Sequence, residues 1–142
     1  MSNRSVAALV LSNFGERDSA FHLLAEGLRT TDHGASLAGM VLSALARGAP
    51  RPVDWRPARA GLEALLGGTN LFAYDEILDV LVETEVDPAL GRGLARLNPA
   101  LLLGHLEARN PFTPRAAHRF LVHVHGRDAG RDRAAWERML TP

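Results

Sequence analysis

Residues 87–126 read DPALGRGLARLNPALLLGHLEARNPFTPRAAHRFLVHVHG. Three polar-proline pairs in this stretch, Asp87-Pro88, Asn98-Pro99 and Thr113-Pro114, are read as helix starts. A side-chain oxygen at the N-cap accepts a bond from a first-turn backbone N–H. Proline at the next position has no N–H to leave unpaired, and its φ already suits a helix. Behind each pair the apolar residues recur at helical spacing: Leu90, Leu94 and Leu97, then Leu102, Leu103 and Leu106, then Ala117, Phe120, Leu121 and Val124 up to Gly126. The region is therefore helical, in short pieces.

Working toward the N-terminus, Thr69 or Asn70 opens a helix with a broad apolar face of Leu71, Tyr74, Ile77, Leu78, Leu81 and Val82. Before it, Asp54 caps a helix that tolerates Pro57 in its first turn, turns Leu62, Leu65 and Leu66 inward, and stops at Gly67-Gly68. Residues 48–54 form a loop with two prolines. Asp32 caps a helix whose buried stripe is Leu37, Val41, Ala44 and Leu45, ended by Gly48 and Pro50, and Asp18 caps one carrying Phe21, Leu24, Ala25 and Leu28. Residues 2–14 are apolar on most sides, as in a helix packed between neighbours. Toward the C-terminus, Asp132 caps a last helix with Trp136, Met139 and Leu140. No alternating β-branched stretch or Asn-Gly hairpin turn appears. The fold class expected is all-α, with about eight or nine helices.

The chain has 142 residues, enough for one domain with one core, and no cysteine, which excludes disulfides, thiolate metal sites and cysteine nucleophiles. Its longest early apolar run, residues 6–11, is far short of a membrane span, so no membrane association and a cytoplasmic location are expected. All 16 basic side chains are arginine and balance 16 acids, which argues against general nucleic-acid affinity. The balance is uneven along the chain. Residues 61–91 hold seven acids and no arginine, whereas residues 92–142 hold nine arginines and four acids.

Hairpins starting near Asp18, Asp54 and Asn98 are 36 and 44 residues apart, which brackets the period of roughly 40–47 residues of HEAT and armadillo units. The segment 18–48 resembles a HEAT repeat: an apolar first helix, a tight turn with Asp32, and an alanine- and leucine-rich second helix ending in glycine. The segment 98–126 is similar, with Arg115 and Ala117 where that family often carries Arg and Ala. The match departs from the family in two places. Gly34, Ala35 and Ser36 stand where a Val-Arg pair would be, and an extra short helix, 88–97, follows the middle hairpin. The resemblance implies a single domain, 1–142, built as a short right-handed stack of antiparallel hairpins, a HEAT-like α-solenoid. The hairpins are roughly 18–48, 54–84 and 98–126, flanked by helices at 2–14, 88–97 and 132–140. Each hairpin hides its apolar face only against the next one.

Asp75, Glu76, Asp79 and Glu83 fall on one arc of the amphipathic helix, with Asp75 and Asp79 at i, i+4. Their plain reading is a solvated face partly neutralised by Arg59, Arg92 or Arg96; the functional one is an acidic surface for a protein partner. Arg115 and Arg119, also i, i+4, belong to a basic end with Arg109, Arg127, Arg131, Arg133 and Arg138, which offers a nucleic-acid or phosphate alternative. His118 and His125 share a helix face but lie two turns apart, too far for one metal ion, and His123 points elsewhere. No phosphate loop, nucleophile elbow or zinc-protease motif occurs. The leading expectation is a non-enzymatic protein-interaction or scaffold domain without cofactor or metal, with Asp75, Glu76, Asp79, Glu83, Arg115 and Arg119 as its contact residues. A small helical enzyme built on Asp75, Asp79 and a histidine is the third reading. Partner identity and oligomeric state stay open.

Overall fold

The structure, a computed structural model, describes residues 17–29, 33–48 and 52–141. The expected helix 2–14 and the caps and stops at Asp32 and Pro50 lie outside the described residues. Every regular element described is helical: α1 (Arg17–Gly27), α2 (His33–Gly48), α3 (Arg59–Gly67), α4 (Tyr74–Glu83), α5 (Pro88–Ala95), α6 (Pro99–Leu106), α7 (Phe112–His125) and α8 (Arg133–Leu140). Tight 3-10 turns, Arg56–Ala58 and Leu71–Ala73, lead into α3 and α4.

The caps explain most boundaries. Asp87 accepts from Leu90 N–H at 2.9 Å, Asn98 from Leu101 N–H at 3.1 Å and Asp132 from Ala135 N–H at 3.1 Å. Thr113 does not cap. Asn110, one turn upstream and itself followed by Pro111, accepts from the N–H groups of Phe112 and Thr113 at 3.0 and 2.8 Å, so α7 begins at Phe112. The Thr113 hydroxyl is left to donate to Asp75. Asp18 lies inside the first turn of α1, and its carboxylate accepts from the N–H of Asp54 at 3.2 Å. Asp54 accepts from Arg56 N–H at 3.1 Å and so shapes the 3-10 turn rather than capping α3 directly.

The expected apolar faces of α1, α3, α6 and α7 are buried, and Leu24, Leu121 and, on α4, Leu78 are all at 1 % exposure or less. Each fully buried leucine contributes about 1.5–3 kcal/mol relative to exposure. On α2 the deep stripe differs: Ala35, Ala38, Leu42 and Ala46 are buried, Leu37, Val41 and Leu45 are partly buried, and Ala44 is exposed. Small residues face the neighbours because the backbones come close. A Cβ added at Gly27 of α1 would stand 3.2 Å from that of Ala38, and one added at Gly39 would collide with the Glu76 carboxylate of α4. On the edges of the expected faces, Leu71 and Leu97 are exposed.

Helix neighbours fall in two sequences. In one, α2 packs on α4 and α4 on α7, the most extensive contact in the fold; in the other, α1 packs on α3 and α3 on α5. Contacts α1–α2, α3–α4 and α5–α7 join the two, while α6 lies on α7 and α8 on α6. Two asparagines tie successive elements together. Asn70 caps the Leu71–Ala73 turn and donates to the last carbonyl region of α1, Leu28 O, at 2.8 Å. Asn98 caps α6 and donates to Gly67 O at the end of α3 at 3.2 Å. The loop before α3 is pinned by Trp55, whose indole donates to the buried Thr84 hydroxyl at 2.9 Å and meets Phe21 edge-on at 6.0 Å. The extra helix α5 fits by close approach: a Cβ at Gly91 would overlap the Val124 side chain of α7.

Candidate functional site

Asp75, Asp79 and Glu83 follow one another by single turns along α4, and the structure turns this row toward α7. Asp75 accepts from the Thr113 hydroxyl. Arg119 donates through one guanidinium nitrogen to Asp79 at 2.9 Å and through the other to Glu83 at 2.6 Å. One planar fork thus spans two carboxylates spaced by the ~6 Å rise of four helical residues. Glu76 faces the other way and accepts from Ser43 of α2 at 2.7 Å, in the space that Gly39 leaves by lacking a Cβ. The acidic arc is therefore held between α2 and α7. Among the described residues, none of the expected neutralising arginines is bonded to it: Arg59 pairs with Glu63 at 2.7 Å, Arg92 donates to Val124 O at 2.8 Å, and Arg96 makes no ion pair.

Burial lifts the Asp79 carboxyl above its ordinary value, against the pull of the Arg119 and Arg115 guanidinium groups and with the neighbouring Glu83 charge adding to the rise. Arg119 is held more firmly protonated, first by its bond to Glu83. The bridge is partly open to water, with about a third of the Arg119 and Glu83 side chains exposed.

Along this bridge runs a cleft of about 250 Å³ between α2, α4 and α7. Ala46 and Val80, both buried, supply apolar lining beside the bridge formed by Asp79, Arg119 and Glu83. Arg47 on α2 and Arg115 on α7 are exposed lining residues, and neither forms an ion pair among the described residues. Phe112, in the first turn of α7, also lines the cleft with 76 % of its surface in water. Of the six contact residues expected from sequence, Asp79, Glu83, Arg115 and Arg119 meet here, while Asp75 and Glu76 are outside the lining, Asp75 bonded to Thr113 and Glu76 to the lining residue Ser43. Sequence reasoning missed Arg47 and Phe112. Asn110-Pro111 is the signal that could have placed Phe112 in α7.

A shallower groove of about 660 Å³ opens beside the Trp55 loop, with Asp54, Glu85 and Asp87 in its lining. Its one arginine, Arg56, is engaged with Asp54 at 2.8 Å, which holds that carboxyl down at about 2. The histidines serve separate contacts. His118 pairs with Asp128 at 2.7 Å and, like His125, packs against the Trp136 ring of α8; His123 donates to Val86 O at 2.9 Å and His105 to Leu101 O at 2.9 Å. Among the described residues, no group of three histidine or acidic side chains could hold a metal ion. None of the described helices is long and apolar enough to cross a membrane. Elsewhere in the basic end, Arg133 is bonded to Glu107 and Glu137, and Arg109, Arg127, Arg131 and Arg138 form no ion pair among the described residues.

A helical domain with a charged, aromatic-edged cleft is the class that fold and site define. Compared with known protein families, with characterised proteins and with solved structures, the chain matches none.

Proposed function

We propose that this chain is a non-enzymatic protein-interaction domain built as a HEAT-like stack of helical hairpins, and that it receives its partner in the cleft between α2, α4 and α7. The order of helix neighbours supports the stack, since α1–α3–α5 and α2–α4–α7 run as two rows with hairpin contacts between them. A stack of this kind presents the helices of one row as a continuous surface. The cleft lies on such a row.

The observation that carries the reading is Phe112, a large apolar side chain 76 % exposed at a cleft with apolar lining and two arginines that make no ion pair among the described residues. Aromatic and arginine side chains are the residue types that most often anchor protein interfaces. The acidic row of α4 acts inside the domain as well as at its surface, because Arg119 and Thr113 engage it. On this reading the contact role falls to Arg115, Phe112 and the exposed edge of the Asp79–Arg119–Glu83 bridge.

Selection of a random peptide library on the immobilised domain tests the proposal, with each enriched peptide measured also against Phe112→Ser. The substitution leaves the core untouched. Peptides of micromolar Kd that bind the variant at least tenfold more weakly are expected; enrichment of none, or of peptides indifferent to Phe112, overturns the reading.

A further inference from the structure

The charges of the cleft are not equivalent. Asp79 and Glu83 share Arg119 at 2.9 and 2.6 Å, whereas Arg47 and Arg115, on the facing helices α2 and α7, have no carboxylate bonded to them among the described residues. The three arginines outnumber the two acids. What an incoming segment meets with bonding capacity still free is therefore a pair of guanidinium groups on two walls, with Ala46, Val80 and Phe112 offering apolar surface. A volume of about 250 Å³ lies below the range of roughly 300–1,000 Å³ usual for whole small-molecule ligands, and suits one large side chain with its flanking backbone.

Resting on the docking reading above, we infer that the segment received is an acidic peptide in which an aromatic or large aliphatic side chain is flanked by carboxylates. The apolar side chain lies on Phe112 and over Ala46 and Val80. The flanking carboxylates take the forked donors of Arg47 and Arg115, a pairing that guanidinium groups make in bidentate geometry. Nucleic acid is the less suited anion, because a single strand needs a series of stacking aromatics along a basic track, and the cleft has one aromatic.

Three probes decide the matter: a nine-residue peptide with one tryptophan between two pairs of aspartates, the same peptide with arginine for each aspartate, and a ten-nucleotide oligothymidylate. The acidic peptide is expected to bind the intact chain at least tenfold more tightly than either other probe, and more weakly as salt is raised. Arg47→Glu and Arg115→Glu should each weaken it about tenfold or more. The double variant should prefer the arginine peptide. Both positions are exposed and make no ion pair among the described residues, and circular dichroism of each variant checks that the helices persist. Preference for the arginine peptide or the oligothymidylate by the unaltered chain overturns the inference, as does binding of the acidic peptide that ignores both substitutions. Should library peptides depend on Phe112 but not on Arg47 or Arg115, the docking reading stands and the acidic partner falls. Should nothing depend on Phe112, the docking reading itself falls.

Discussion

At the scale of single residues, two asparagines perform the same double task in different surroundings. Asn70 is 3 % exposed and donates to Leu28 O, whereas Asn98 is half-buried and makes a longer bond to Gly67 O. Replacing Asn98 with alanine removes a cap, a loss of about 1 kcal/mol. Replacing Asn70 also strands a buried carbonyl, and the expected loss rises to about 2–3 kcal/mol. Urea midpoints of the two variants check the order, and equal values would mean that the Leu28 bond adds nothing. Glycines of α5 give a second contrast. Gly91 has the Val124 side chain where a Cβ would go, so Gly91→Ala should destabilise by about 1–3 kcal/mol. Gly93 has no atom within 4 Å of that position, and Gly93→Ala should stabilise by about 0.5–1 kcal/mol. Two denaturation curves with shifts of the same sign would contradict the packing of α5 on α7.

At the scale of helices, the contact of α4 with α7 joins apolar packing to a charged bridge. Arg119→Met leaves Asp79 and Glu83 side by side in a half-screened site, at an expected cost of about 1–2 kcal/mol near neutral pH. In that variant the folded state binds protons more tightly than the unfolded chain, so stability should rise as pH falls into the carboxylate range. Unfolding curves of the variant at pH 7 and pH 5 test this, and a gap from the parent that does not narrow at pH 5 refutes it. The docking of α8 has the opposite dependence. Burial, then the Arg92 and Arg96 charges, depress the His125 imidazole below its ordinary 6.5. A histidine depressed in the folded state binds more protons when unfolded, so its contribution is complete above 6.5 and is lost as pH falls through the folded value. His125→Phe should therefore gain on the parent as pH is lowered from 7.5 to 5. Parallel pH profiles would show that His125 is not the sensor. Both effects lie between elements, and the sequence showed only their halves. It exposed the i, i+4 spacing of the acids on α4 and of the arginines on α7, but the partner of Asp79 stands 40 residues away, and the nearer Arg59 and Arg92 are bonded to Glu63 and Val124 O.

At the scale of the molecule, Trp55 pins the loop between α2 and α3 to the end of α4, and Trp136 fixes α8 against α7; both are at most 1 % exposed. They report on different parts of the core. If the core cluster, which contains both, unfolds as one unit, Trp55→Phe and Trp136→Phe should each show fluorescence and far-UV circular dichroism transitions that coincide. Separated transitions in either variant would divide the domain into independently melting pieces. The amino-acid sequence by itself determined the helical character, the starts at Asp87, Asn98 and Asp132, the stops at Gly68 and Gly126, and the buried faces of α1, α3, α6 and α7. Those features depend on bonds and spacings within one or two turns, so the residues that make them are neighbours in the chain. Tertiary structure alone decided that Ala35, Ala38, Leu42 and Ala46 form the deep face of α2, and that Phe112 and Arg47 reach the same cleft as Arg119. Those outcomes turn on how closely helices approach across tens of residues, and periodicity within a helix carries no information about the distance to its neighbour.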